Sequence, residues 1–192
     1  MILTKTEMQK KLESVLTSKR YNHSIGVMKT SEELAMKYGE DSVKAGIAGL
    51  LHDCARDIKA DEFLQLCKKY NIEFDEVTKT QPQLLHGPVG AKLAMYEYGV
   101  TDEAVLEAIY YHTTGYPYMG MLSKIVYIAD YIEPGRCFPG VEEVRKLAFR
   151  NIDDAMLMAL DRTLKHVITK GGLVHMDTVR ARNIIILNKK TI

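Results

Sequence analysis

An all-α fold is predicted by two features of the 192-residue sequence. Apolar residues recur at helical steps of three and four, in runs bounded by capping residues and glycines. No stretch alternates apolar and polar residues as a half-buried strand would, and the short β-branched runs IVYI and NIIIL sit in helical context.

The elements follow in order. Thr4-x-x-Glu7 is a capping box that opens a helix to about Leu16. A second runs from near Lys19 to Tyr38, where Gly39 ends it. A third starts at Asp41 and reaches about His52, and a fourth covers Asp61 to Tyr70. Asn71 to Leu85, polar and containing Pro82, is expected to be a loop with short turns. Gly87-Pro88 opens the next helix, since proline is tolerated in a first turn, and Gly99 closes it. Thr101 is placed to cap TDEAVLEAIYYH, and helices follow at Met121–Ile132, Val141–Phe149, Asp153–Thr169 and Asp177–Leu187. The expectation is one domain over residues 1–192, a bundle of about nine helices without repeats or an interdomain linker.

Composition narrows the function. Hydrophobic residues make up 46% and charged residues 27%, which suits a globular core and excludes a disordered chain. Lys and Arg total 26 against 25 Asp and Glu, and no basic block stands out, so a nucleic-acid partner is not expected. No apolar run approaches the ~18 residues that span a bilayer. The opening MILTKTEMQKK lacks the basic-then-apolar order of a signal peptide, so a cytoplasmic protein is expected, with no membrane partner. Cys54, Cys67 and Cys137 are odd in number and lack metal-finger spacing, which predicts three reduced thiols. The oligomeric state is left open, a homodimer included.

The chemistry-bearing residues are histidines and aspartates on apolar faces. His23 shares a face with Val27, Thr30 and Leu34; His52 and Asp53 end the apolar AGIAGLLHD; His86 precedes the Gly-Pro helix start; His112 shares a face with Val105, Ala108 and Ile109; Asp130 lies over Val126 and Tyr127. A buried imidazole or carboxylate without a partner costs several kcal/mol, and a divalent cation satisfies both kinds of group at once. Each taken alone also fits a hydrogen-bonded core residue. His166, in the charged DRTLKHVITK, is expected at the surface, and His175, before Asp177 at a helix start, is either structural or within reach of a ligand. Arg20 and Arg56 fall three residues from His23 and Asp53, and Arg136 a turn and a half beyond Asp130, where planar guanidinium forks would suit phosphate oxygens. Asp57 is a candidate to orient Arg56 or an attacking water, and Thr113 and Thr114 offer hydroxyls beside His112. Tyr116 and Tyr118 are candidates for base stacking or for core packing.

The order His23, His52-Asp53, Asp130, carried in RYNHSIGV, GLLHDCARD, LLHGPVGA, YHTTG, YIADYIEPGR, FPGVEEVRKLA and HMDTVRARN, resembles the HD-domain metal-dependent phosphohydrolases. Within them it looks like the bacterial YqeK-like group, described as symmetrical bis(5′-nucleosyl)-tetraphosphatases. The likeness spans roughly residues 19 to 187. It implies a single all-α HD domain, with a metal-binding core over about 19–150 and C-terminal helices 151–192 packed on it. It implies hydrolysis of a small nucleotide, diadenosine tetraphosphate to two ADP, by a metal-activated water. His23, His52, Asp53 and Asp130 would be metal ligands. His86 and His112 would either bind a second ion bridged by Asp53 or contact phosphate, the resemblance favouring two ions. Asp53, Arg56 and Asp57 would be catalytic, and Arg20, Arg56, Asp57, His86, His112, Thr113, Arg136 and His175 substrate-binding. One or two divalent transition-metal ions are implied, iron first, with manganese, cobalt or zinc as alternatives. Two other readings share the scaffold: an HD-type phosphohydrolase on another nucleotide, and a di-iron oxygenase. Gly115-Tyr116-Pro117 matches a triplet of cyclic-dinucleotide phosphodiesterases, but these carry paired histidines and an acid upstream, which Tyr111-His112-Thr113-Thr114-Gly115 lacks, so the triplet is taken as a turn.

Overall fold

Helix starts follow the side-chain caps written in the sequence. In α1 (Lys5–Val15) Thr4 and Glu7 form the expected reciprocal box. The Asp41 carboxylate opens α3 (Ser42–Leu51) by accepting the N–H groups of Val43 and Lys44 at 2.8 and 3.0 Å. Between them α2 (Ser18–Tyr38) ends on Gly39, whose φ of 70° is the left-handed turn that glycine adopts without a Cβ penalty. These assignments come from a computed structural model that describes residues 3–190.

The described residues form eleven α-helices and one 3₁₀ turn, and no strand. That is two more than the bundle of about nine expected and one more than the ten segments marked out above; the added helix lies in the segment from Asn71 to Leu85. After α4 (Ala60–Tyr70), Asp75 and Thr78 form a capping box that starts the short α5 (Glu76–Thr80). Threonine, not glutamate, fills its third position, which leaves a weaker sequence signal. A 3₁₀ turn over Pro82–Leu85 then leads directly into α6 (His86–Tyr98), so the helix begins at His86, one residue before Gly87. In α7 (Glu103–Tyr111) the cap is Asp102, accepting from Ala104 and Val105, not Thr101. The rest are α8 (Met121–Ile132), α9 (Val141–Ala148), α10 (Ile152–Thr169) and α11 (Met176–Lys190).

α8 is the central helix. Leu122, Ile125, Val126, Tyr127, Ile128, Ala129 and Ile132 are all buried, so it is apolar around most of its circumference and packs against α2, α3, α7, α9 and α10. α3 is short and rich in small residues because it lies tightly on α2. A Cβ on Gly49 would sit 2.7 Å from Ser31 Oγ and 3.0 Å from the Val27 carbonyl. α6 and α7 are equally close, since a Cβ on Gly87 would fall 2.5 Å from the Tyr110 carbonyl. These two contacts matter for position: one brings His52 up to His23, the other brings His86 up to His112. Gly115, with φ of 72°, makes the expected turn after α7. No helix of the described residues is long and apolar enough to cross a membrane. The three cysteines are free thiols, Cys54 and Cys67 buried and Cys137 exposed.

Candidate metal centre

The ends of four helices deliver the cluster. His52 is the C-cap of α3 and His112 the C-cap of α7, while His86 follows the 3₁₀ turn. The last carbonyls of a helix have no intrahelical partner. Each of these rings takes one three residues back: His52 Nδ1 on Gly49 O at 2.7 Å, His112 Nδ1 on Ile109 O at 2.7 Å, and His86 Nδ1 on Gln83 O. His23, in the second turn of α2, instead places Nδ1 3.1 Å from Glu133 Oε1. All four Nδ1 atoms therefore donate, and all four Nε2 atoms present lone pairs to the interior.

Those lone pairs meet. His23 and His52 bring their Nε2 atoms to 3.2 Å, and His86 and His112 to 3.0 Å. Asp130 Oδ1 lies 3.0 Å from His23 Nε2 and 3.8 Å from His52 Nε2. Asp53 stands between the pairs. Its Oδ2 is 3.3 Å from His52 Nε2 and 3.7 Å from His23 Nε2, and its Oδ1 is 3.1 Å from His86 Nε2 and 3.6 Å from His112 Nε2. Two imidazole acceptors facing each other at 3 Å repel unless a cation lies between them. The Thr113 hydroxyl, 3.1 Å from both His86 and His112, has one proton and satisfies one ring at most. A donor set of neutral imidazoles and carboxylates, aimed inward without protons to share, fits a divalent transition metal.

The electrostatics agree. Burial alone would raise the Asp53 carboxyl, but the His52, His112 and His86 rings around it hold it well below the usual carboxylate range. Burial also opposes ionisation of Asp130, and its neighbours His23, His52 and Arg136 outweigh it in the same sense. His86 is pushed down by burial, which keeps the ring neutral. Both carboxylates are thus ionised, as metal ligands must be.

The arginines ring the cluster. Arg20 Nη1 donates to Asp53 Oδ2 at 2.6 Å and Arg136 Nη2 to Asp130 Oδ1 at 2.5 Å. Arg56 lies against His86, its Nη1 3.4 Å from Nδ1. Together with Thr113 they line a cleft of about 240 Å³ over Asp53, His86, His112 and Asp130. Four candidates lie elsewhere. Asp57 is not at the cluster, because the chain beyond His52 proceeds by tight i→i+3 turns and not as a continued helix. Its carboxylate accepts the Thr17 N–H at 2.7 Å, holding the start of α2, and lines a separate cavity with Leu16 and Tyr98. His175 lines another cavity of about 350 Å³ with Tyr110, Tyr111 and Thr114, and its Nδ1 accepts from the Asp177 N–H. Tyr116 and Tyr118 line yet another cavity, with Lys124 and Asn188.

Glu133 is the residue that the sequence did not point to. It sits at the C-cap of α8, 5% exposed, with Oε1 on His23 and Oε2 accepting the Gly135 N–H at 2.6 Å. Gly26 makes room for it, since a Cβ there would lie 2.6 Å from Oε2. A carboxylate that fixes the tautomer of a ligating histidine is typically worth ~10–100-fold in metal affinity or activity. Glu133→Gln is therefore expected to lower metal affinity by about that factor, read by competition with a chelator, while the helical circular dichroism is unchanged.

Comparison with known proteins places these features in a class. The HD domain family model matches residues 20–135, a span that holds His23, His52, Asp53, His86, His112, Asp130 and Glu133. The chain belongs to the HD family. Among its relatives, it is 44% identical over 168 residues to the symmetrical bis(5′-nucleosyl)-tetraphosphatase of Bacillus subtilis (strain 168), covering 88% of this chain and 90% of that one. It is 40% identical over 175 residues to the enzyme of the same name from Halalkalibacterium halodurans, covering 91% and 93%. A crystal structure from Clostridium acetobutylicum, described as a predicted HD superfamily hydrolase involved in NAD metabolism, superposes with a TM-score of 0.96 at 45% identity, over 98% of this chain and all of that one.

Proposed function

We propose that the chain is a divalent-metal phosphohydrolase that cleaves dinucleoside polyphosphates, diadenosine tetraphosphate first among them, symmetrically to two nucleoside diphosphates. The observation that carries this reading is the Asp53 carboxylate, with one oxygen toward His23 and His52 and the other toward His86 and His112. His23, His52, Asp53 and Asp130 would hold one ion, and Asp53, His86 and His112 a second. Iron is our first choice, and manganese, cobalt or zinc suit the same donors. A bound divalent cation supplies a nucleophilic water at neutral pH and neutralises charge on the phosphoryl oxygens. The symmetrical cut rests on what the relatives are named for, and the adenine nucleotide on the resemblance in sequence.

The side chains around the cluster do the remaining work. Arg20 and Arg136 hold the two carboxylates ionised and aimed inward, and present their outer faces to the cleft. Arg56 offers a guanidinium fork at the mouth, and Thr113 a hydroxyl beside the reacting phosphate. We take the whole chain as one domain, with α10 packed on α8 and α9, and α11 on α10. Assay of the metal-loaded protein on dinucleoside polyphosphates, cyclic dinucleotides and nucleoside phosphates, with products resolved chromatographically, tests the reading. ADP as the sole product from diadenosine tetraphosphate supports it, and ATP plus AMP contradicts the symmetrical cut. Turnover by zinc-loaded protein without O₂ rules out the oxygenase reading. Arg56→Ala is expected to raise KM by ~10-fold, the worth of a charge-assisted hydrogen bond, without changing metal content.

A further inference from the structure

A symmetrical cut requires that two phosphates and a nucleoside extend from the metal cluster in each direction. On the α2 side the chain provides a cavity of about 580 Å³ that shares Arg20 and Arg136 with the metal cleft and continues outward to Lys19, Asn22, Lys29 and Pro134. Lys19, His23, Gly26 and Lys29 follow one another at helical steps along a single face of α2, so on this face one lysine stands before the ligating His23 and one after it. Among the described residues no carboxylate lies within ion-pair distance of Lys19 or Lys29. The lining carboxylate, Glu133, is buried and already engaged by His23 and Gly135. The cavity is therefore cationic. Apart from the His23 imidazole it has no aromatic lining, so a purine entering it finds no ring to stack on. The cavity beside Tyr110 and Tyr111 differs in kind, with Phe74 for stacking and Asp75 and Asp177 to accept from base amino groups.

We infer that the α2 cavity is the subsite for the second half of the substrate, and that it grips that half through its phosphates and not its base. This rests on the phosphohydrolase reading. It adds that the second nucleoside is interchangeable, even dispensable. A nucleoside 5′-tetraphosphate is then a substrate in its own right. The oxygen of water bonds to the second phosphorus from the nucleoside, the bond from that phosphorus to the bridging oxygen breaks, and the bridging oxygen leaves with pyrophosphate. A water proton passes to solvent, and the products are a nucleoside diphosphate and pyrophosphate.

The test compares diadenosine tetraphosphate, a mixed adenosine–uridine tetraphosphate and adenosine 5′-tetraphosphate on the metal-loaded protein and on the Lys19→Ala/Lys29→Ala double variant. Both lysines are exposed, so the variant keeps its fold. The expected result is kcat/KM within ~10-fold for all three substrates, and KM raised ~10-fold for each in the variant with kcat and metal content unchanged. Adenosine 5′-tetraphosphate left uncleaved, the mixed substrate rejected by ~100-fold or more, or an unchanged KM in the variant overturns the subsite while leaving the phosphohydrolase standing. Absence of hydrolysis of any polyphosphate by the unaltered protein overturns both.

Discussion

Asp53→Ala is expected to release both cations and to lower hydrolysis by on the order of 10³-fold or more, while the helical content stays close to that of the parent. The reason is geometric. Asp53 is the one carboxylate whose two oxygens reach both histidine pairs, 3.3 Å from His52 on one side and 3.1 Å from His86 on the other. Its removal leaves each pair of Nε2 lone pairs facing across a gap, with Asp130 as the remaining anion on one side and none on the other. It also frees Arg20, which adds an uncompensated positive charge where a cation should sit. The backbone turn after α3 does not depend on the carboxylate, since Arg56 N–H bonds the Asp53 carbonyl and not its side chain. Elemental analysis after gel filtration reads the outcome, and full metal occupancy in the variant would remove Asp53 from the ligand set.

His112→Ala separates the two roles open to the second histidine pair. If His86 and His112 are ligands, the variant retains one ion per chain at His23, His52 and Asp130, and kcat falls by ~10²-fold for want of the second charge. If they contact phosphate instead, the variant keeps its full metal complement and loses affinity for substrate. The geometry favours the first outcome. His112 is 3% exposed and its Nε2 points at Asp53 and His86, leaving little of the ring to a solvent-borne phosphate. Metal stoichiometry and KM measured on the same preparation decide between them.

Much of the fold was legible because caps and helical steps are local signals. Thr4, Gly39, Asp41 and Gly99 bound their helices as a sequence reading expects. The losses occurred where local signals compete. At Thr101-Asp102 two good caps stand side by side, and the carboxylate wins. At Asp75–Thr78 a polar, proline-flanked stretch hides a one-turn helix. The convergence of His23, His52, Asp53, His86, His112 and Asp130 could be anticipated because each is an ionisable group on an apolar face, which demands a partner. Asp57 stands one residue after Arg56 in sequence, but the tight turns beyond His52 swing its carboxylate to the start of α2. Glu133 was illegible for a different reason. A glutamate before Pro-Gly reads as a solvated helix end, and only the close approach of Gly26 on a distant helix buries it against His23.

The central claim is that Asp53 bridges two cations. Crystals of manganese- or iron-loaded protein, measured above and below the metal absorption edge, test it most directly. The account predicts two anomalous peaks ~3.5–4 Å apart, one beside His23, His52 and Asp130, the other beside His86 and His112, with an Asp53 oxygen bonded to each. A single peak with the His86–His112 pair unligated, or no peak between these side chains, would contradict it.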